Sequence, residues 1–183
     1  MLVKGGTVPS LTFSHLLTKL EVKLKAKTGA ANGAWGKIEK IEVLQAGGAA
    51  LNNVATITLT TGTPAFSGTG SSFTMYGMSE TAGVASYTDV ALAAQALTET
   101  ATPVAYVMIS PFTSDGTGDL KLRVTTEYQG AKDVEIDLTT YSGNTAGYAF
   151  GITLTFVADE ETIEASATVI DWKTGGDVEK EIQ

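Results

Sequence analysis

Residues 148–156 read Tyr-Ala-Phe-Gly-Ile-Thr-Leu-Thr-Phe and place a large apolar side chain at every second position. Side chains of a β-strand alternate between the two faces of the sheet, so this stretch predicts a strand with one buried face. Further short stretches predict strands in the same way, at 20–25, 38–43, 54–60, 104–109, 120–125, 134–139 and 163–169. Turn residues separate them, and we interpret 62–72, rich in Gly, Ser and Thr, as a long loop. Short strands at this spacing favour an all-β sandwich, immunoglobulin-like in architecture and built from about seven antiparallel strands.

In the first predicted strand, the apolar residues change from odd-numbered to even-numbered positions partway along. Leu11, Phe13, His15 and Leu17 are odd-numbered, whereas Leu20, Val22 and Leu24 are even-numbered. We therefore expect a break near residues 17–19, followed by a strand whose charged face, carrying Glu21, Lys23 and Lys25, is solvated. The predicted core consists of Phe13, Leu20, Val22, Leu24, Ile41, Val43, Leu122, Val124, Ile136, Tyr148, Phe150, Ile152, Leu154 and Val169.

Composition excludes several classes of function. The 183 residues include no Cys and one His, with 12 Lys+Arg against 20 Asp+Glu and a formal net charge of -8. Thiol nucleophiles, disulfide scaffolds and structural zinc sites are therefore excluded, and an acidic chain without a basic cluster disfavours nucleic-acid partners. No apolar run reaches 18 residues, so we expect no transmembrane span.

The sequence offers few candidates for chemistry. His15 is the one histidine, and we interpret it as a core or strand-end residue; a hydrolase would require it to lie in a cleft beside a carboxylate and a hydroxyl. Asp115 and Asp119 flank glycines loosely like a calcium loop but lack the later bidentate Glu, so we expect a polar turn. Asp159-Glu160-Glu161 is typical of a solvated turn. We therefore predict no catalytic, cofactor-binding or metal-binding residues and no enzyme activity.

Two motifs at opposite ends of the chain point to a family. Residues 10–24, with Phe13, His15, Leu17, Lys19 and Leu20, resemble the strand that opens the C-terminal domain of Bacteroidales fimbrillin-like (Mfa-like) proteins. Residues 147–154, followed by Ile163 and by Val169-Ile170-Asp171-Trp172, resemble the closing strand and terminal tryptophan of that domain. The resemblance implies a transthyretin-like sandwich at residues 10–172, with an N-terminal linker at 1–9 and a flexible tail at 173–183.

What the resemblance implies for function is a structural or accessory (tip) subunit of fimbriae, the pili of these bacteria. Such subunits join by strand addition, so the implied partners are other fimbria subunits or a second copy of this chain. We expect a cell-surface location, at the fimbria or outer membrane, as part of a longer exported precursor. Residues 1–6 contain neither an apolar secretion segment nor a lipid-anchor cysteine, so we expect no signal peptide in this chain.

We expect the subunit contact to involve the C-terminal segment. Its candidate contact residues are Ile163, Ala165, Ala167, Val169, Val178 and Ile182. An alternative function is a carbohydrate- or protein-binding adhesin module of a surface lipoprotein, with a host or bacterial surface ligand. Exposed aromatic residues clustered on one face would favour the adhesin, whereas an unpaired sheet edge with a detachable terminal strand would favour the fimbria subunit.

Overall fold

A computed structural model describes residues 15–44, 51–58, 60–115, 118–138, 141–159 and 161–172. These residues form fourteen strands and one short helix. In chain order the elements are β1 (Thr18–Ala26), α1 (Ala31–Trp35), β2 (Ile38–Leu44), β3 (Val54–Thr58), β4 (Thr63–Ser67), β5 (Ser72–Thr74), β6 (Tyr76–Thr81), β7 (Val84–Ala91), β8 (Thr102–Ile109), β9 (Thr113–Ser114), β10 (Leu120–Thr126), β11 (Gly130–Ile136), β12 (Gly143–Asn144), β13 (Ala149–Val157) and β14 (Thr162–Ile170).

Two main sheets make up the sandwich. The first has six strands in the order β14-β13-β1-β8-β6-β7, and the second has four in the order β11-β10-β2-β5. The hairpin β3–β4 and the short pair β9–β12 lie outside these sheets. One continuous apolar core contains buried residues of both sheets, such as Val22 and Leu154 from the first and Val43 and Leu122 from the second. The predicted all-β sandwich is confirmed.

The strand pairing differs from the prediction in two respects. β1 pairs with β13 in parallel, from Lys19 opposite Ala149 to Ala26 opposite Phe156, and with β8 in the antiparallel sense. Parallel neighbours require a long connection, which here is most of the chain. The strands also outnumber the expected seven, because several span only two to five residues. One of these, β4, lies within the predicted long loop.

Eleven of the fourteen predicted core residues are buried: Leu20, Val22, Leu24, Ile41, Val43, Leu122, Val124, Ile136, Phe150, Ile152 and Leu154. Phe13 lies outside the described residues. Tyr148 and Val169 are 41% and 42% exposed, so their assignment to the core was wrong. Tyr148 precedes the first paired residue of β13, and Val169 lies on a strand that, within the described part of the chain, has a neighbour on one side only.

The charged face of β1 is the main correction to the predicted fold. β1 begins at Thr18, as the parity change predicts, and its apolar residues face the core. Lys19 and Glu21, however, are buried rather than solvated, with side chains 2% exposed. The prediction failed because β1 lies inside a six-stranded sheet and its outer face is covered by residues distant in sequence.

Candidate subunit-contact surface

β14 forms one edge of the six-stranded sheet. It pairs with β13 in an unbroken antiparallel register, from Ala149 opposite Ile170 to Val157 opposite Thr162. No strand among the described residues pairs with its other side. The outward-facing backbone groups of such an edge can pair with an incoming strand.

Four of the six predicted contact residues lie on this strand. Ile163 is partly buried against the core, Ala167 is buried, and Ala165 and Val169 are exposed. All four are on the side of β14 that faces the second sheet, because they lie opposite the core residues of β13. Val178 and Ile182 lie outside the described residues. Contact of this strand with another subunit stays a prediction.

The other sheet edges carry features that oppose pairing, and β14 carries fewer. β5 has only three residues, β11 has Lys132, Asp133 and Glu135, and the pairing of β7 with β6 is interrupted by a register shift. Short length, charge and irregularity are the usual means by which natural edge strands avoid association. β14 is nine residues long, has no proline, and carries one charged residue, Glu164. It is therefore the edge best suited to accept a strand.

A cavity of about 410 Å³ lies where the edges β11 and β14 approach each other. It is lined by residues 133–136 of β11, by Asp137 directly after that strand, and by Ile163 and residues 165–167 of β14. Among the described strands, each of these two pairs on one side only, so two sheet edges lie beside this cavity. The surroundings of β14 thus leave space next to the strand.

The outer face of the same sheet holds a buried charged cluster formed by Lys19, Glu21 and Tyr87. The Lys19 ammonium lies 2.8 Å from Oε1 of Glu21 and donates to the Tyr87 hydroxyl at 3.0 Å. That hydroxyl in turn donates to the same Glu21 oxygen at 2.8 Å. Each member of this triangle therefore contacts the other two, so the buried charges are compensated.

The pKa values of two cluster members follow from this geometry. Burial alone would lower the pKa of Lys19, but its hydrogen bonds to Glu21 and Tyr87 and the attraction of the carboxylate outweigh burial and raise it. Burial and the nearby Glu21 raise the pKa of Tyr87, against the opposing effect of Lys19. Lys19 is therefore cationic and Tyr87 protonated across the neutral range, as the hydrogen bonds require.

Trp172 joins the two ends of the domain. Its ring stacks on His15 with centroids 3.8 Å apart and lies 5.0 Å from the Lys19 ammonium. Its Nε1 donates to the carbonyl of Gly147 at 2.7 Å, and the Gly147 N–H donates to the carbonyl of Leu17. Gly147 has φ of 78°, and a Cβ there would lie 3.0 Å from the His15 carbonyl oxygen. A larger residue would therefore be strained and crowded at this junction.

His15 thus lies before β1 and is exposed, rather than in the core. Its ring stacks on that of Trp172. His15 and Trp172 also line an apolar groove of about 480 Å³ between the sheet and the hairpin β3–β4. Leu17, Ile57, Phe66 and Met108 are among its other lining residues.

Three tyrosines form a row on the outer face of the six-stranded sheet. The ring centroids of Tyr76 and Tyr106 are 6.3 Å apart, and those of Tyr106 and Tyr87 are 4.8 Å apart. The hydroxyl of Tyr106 donates to the Thr88 carbonyl, and that of Tyr87 belongs to the charged cluster. Tyr76 is the most exposed of the three. Sequence reasoning missed this row, because its members come from three strands.

The loop around Asp119 is organised by backbone hydrogen bonds. The buried Asp119 carboxylate accepts the N–H of Asp115 at 3.1 Å and, through its other oxygen, the N–H of Leu138 at 3.1 Å. The carboxylate therefore acts as a turn-stabilising group, as expected for a polar turn. In the part of the chain that the structure describes, no three His, Asp or Glu side chains cluster in a way that could hold a metal ion. No described helix is long and apolar enough to cross a bilayer.

Replacing Asp119 with alanine is expected to lower the free energy of unfolding by about 1–3 kcal/mol, because two N–H groups lose their acceptor. Asp119→Asn retains one oxygen acceptor and should lose less. The measurement is urea unfolding followed by circular dichroism. Asp159→Ala, at an exposed acidic turn, is the matched control and should change the stability by less than about 0.5 kcal/mol. Equal effects at both positions would contradict the structural role of Asp119.

Comparisons with known proteins agree with the fold and the two motifs. The sequence profile of the fimbrillin-like family matches residues 3–172. The structure is similar to that of a candidate cell adhesion protein from Bacteroides uniformis, with 19% identity and a TM-score of 0.54 over 87% of this chain and 51% of that chain. It is also similar to a fimbrial protein from Bacteroides vulgatus, with 16% identity and a TM-score of 0.53 over 87% of this chain and 55% of that one. No curated protein sequence matches the chain.

The chain belongs to the fimbrillin-like family. The family resemblance predicted from residues 10–24 and 147–172 is confirmed. The described parts of these segments contain β1, β13 and β14, which are adjacent in the sheet, and they meet where Trp172 stacks on His15. At these identities the solved structures show a shared fold, and the chain spans about half of their length.

Proposed function

We propose that this chain is a subunit of a cell-surface fimbria that joins a neighbouring subunit by strand pairing at the free edge of β14. The observation that carries the proposal is the long, almost uncharged edge of β14, which no described strand covers. Membership of the fimbrillin-like family supports a structural, non-catalytic role and a location at the cell surface.

The part of the protein involved is proposed to be residues 10–172, with residues 1–9 as a linker and 173–183 as a tail. Because the chain spans about half of the structures it matches, we propose that it is the second domain of a longer exported precursor. An incoming strand would gain backbone hydrogen bonds along β14 and contacts with Ile163, Ala165 and Val169. Each hydrogen bond contributes about 0.5–1.5 kcal/mol, so several are needed to offset the entropy lost on association.

The proposal is tested with proline substitutions in β14, using the tagged full-length protein in the bacterium that encodes it. Neighbouring residues of a strand direct their backbone groups to opposite edges. Ala165→Pro and Ser166→Pro therefore remove backbone N–H groups that point to opposite sides of β14. One of these variants disrupts pairing with β13, and the other blocks only the free edge. Circular dichroism of the purified variants identifies the folded one. We expect that variant to be at least tenfold depleted from sheared fimbriae.

Ser166→Thr is the matched control, because it retains the backbone donor and suits a strand; its incorporation should equal that of the wild type. Immunogold microscopy should locate the wild-type chain on fibres. Labelling confined to the cell body, or normal incorporation of the folded proline variant, would show that the proposed contact is wrong.

A second candidate function, the adhesin module, is favoured by the tyrosine row. Aromatic faces stack on sugar rings, and Tyr76 presents the most accessible ring of the row. The hydroxyls of Tyr87 and Tyr106 are engaged within the protein, which makes the row a less open platform. A glycan array tests this function: binding that Tyr76→Ala abolishes would support it, whereas no binding by the wild type would count against it.

A further inference from the structure

The sequence of β14 is nearly symmetrical about its central residue, Ser166. The strand reads Thr-Ile-Glu-Ala-Ser-Ala-Thr-Val-Ile, with alanine on each side of Ser166 and a β-branched apolar residue three positions away in each direction. When two copies of such a strand pair in an antiparallel manner about a two-fold axis at Ser166, each residue meets its counterpart on the other side of the centre. The symmetry therefore determines which side chains meet.

The resulting pairs are chemically compatible. Ile163 lies opposite Val169 of the second copy, and Ala165 lies opposite Ala167, all on the face of the sheet that contacts the core. Glu164 lies opposite Thr168, so no like charges are opposed. Val169 is 42% exposed in the single chain, and this register would cover it with an isoleucine. Cross-strand pairs of β-branched residues stabilise a sheet, whereas opposed like charges destabilise it.

A shift of the register is less favourable. A shift of the two-fold axis by one residue keeps the faces of the sheet but moves each pairing by two positions. With the axis at Ala165, Ile163 would lie opposite Ala167 and Val169 opposite Glu161; with the axis at Ala167, Ile163 would lie opposite Asp171. The edge strands β5, β7 and β11 lack this symmetry, and they are short, irregular or charged as described above.

We infer that β14 pairs with β14 of a second copy of this chain, antiparallel and centred on Ser166, to join two six-stranded sheets into one. The inference rests on the proposed function in using the same edge, and it adds the identity and register of the partner. A single pair of strands is smaller than a standard stable interface, so the dimer forms at high protein concentration or when subunits are held together.

Single cysteines test the register without background, because the chain contains no Cys. Directly opposed residues have Cα atoms about 4.5–5.5 Å apart, which is within the range of a disulfide. Ser166→Cys lies opposite its own copy and should cross-link under mild oxidation. Thr168→Cys lies four residues from its own copy, roughly 13 Å away, and should not. We expect cross-linking of Ser166→Cys to be at least tenfold faster.

Two mixtures extend the test. Glu164→Cys and Thr168→Cys should cross-link with each other but not with themselves. Ser166→Lys and Ser166→Glu, each alone, should be monomeric by light scattering at concentrations where the wild type dimerises, and an equimolar mixture should restore the dimer. Equal cross-linking at all positions, or none at Ser166→Cys, overturns the inference. If Ser166→Cys does not cross-link but the folded proline variant fails to enter fimbriae, the proposed function stands, because a different strand then occupies the edge. If Ser166→Cys does not cross-link and the folded proline variant enters fimbriae normally, both the inference and the proposed function are wrong.

Discussion

Replacing Lys19 with methionine is expected to lower the free energy of unfolding by about 3–5 kcal/mol, because Glu21 would lose its cationic partner inside the protein. Both side chains are 2% exposed and their charged atoms are 2.8 Å apart. Only the Tyr87 hydroxyl would still donate to the carboxylate. Urea unfolding followed by circular dichroism measures the loss.

Two variants make this expectation specific. Lys19→Met combined with Glu21→Leu removes both charges and should recover most of the stability, since replacing a buried pair with apolar residues is often neutral. Lys27→Met disrupts the exposed pair with Glu164, whose side chains are 52% and 54% exposed, and should cost less than about 1 kcal/mol. Similar losses for Lys19→Met and Lys27→Met would contradict the buried pair.

The stability that Lys19 contributes depends on pH in a direction that follows from its pKa. Because the pKa of Lys19 is raised in the folded protein, its contribution is fully present below the ordinary lysine value of 10.5 and is lost as the pH rises beyond it. The deficit of Lys19→Met should therefore be constant through neutral pH and shrink only in strongly alkaline solution. A deficit that changes near neutrality would indicate that a different group is responsible.

Replacing Trp35 with alanine is expected to cost about 3–5 kcal/mol, as for other large buried side chains. Trp35 ends α1, is fully buried, and contacts the edge of Phe156 at a centroid distance of 5.4 Å. Its Nε1 donates to the carbonyl of Val157 at 3.0 Å. The helix has five residues and no side-chain N-cap, so tertiary contacts hold it in place: this packing and the two hydrogen bonds between the Asn32 side chain and the backbone of Leu97. Thermal unfolding measures the effect.

Trp35→Phe separates packing from hydrogen bonding. It retains most of the apolar contact but leaves the Val157 carbonyl without its donor, so a loss of about 1–3 kcal/mol is expected. Trp172→Phe is the matched control at the other tryptophan, which is only partly buried, and it makes Trp35 the single tryptophan fluorophore. An equal loss at both tryptophans would be inconsistent with this account.

The sequence predicted those strands in which apolar and polar residues alternate over several positions. Leu20, Val22 and Leu24 were assigned correctly because a half-buried strand needs that period. β4 was missed because Thr63, Pro64 and Ser67 resemble a loop in composition and the strand is held by pairing with β3. Propensity is a weak guide where pairing determines the structure.

The strand proposed as the contact surface was predicted, whereas its position in the sheet was not. The apolar alternation from Ile163 to Val169 indicated the strand, but only the sheet order shows that it lies at an edge. Burial of Lys19 and Glu21 could not be foreseen, since Tyr87 is 68 residues away from Lys19 and a charged alternate face usually indicates solvent. The tyrosine row could not be predicted for the same reason, because its members are brought together by strand order rather than by spacing in the sequence.

The stacking of His15 on Trp172 has a mechanical consequence. The chain enters β1 and leaves β14 at the same end of the sheet, with only β13 between them, so these two points are roughly 10 Å apart. Tension applied through the preceding and following segments would act across the strands and open them one hydrogen bond at a time, rather than shear them along their length. The stacked rings and the Gly147 contacts lie directly on that path. They would be the first contacts to bear the force, and most of the sandwich would lie outside the loaded path.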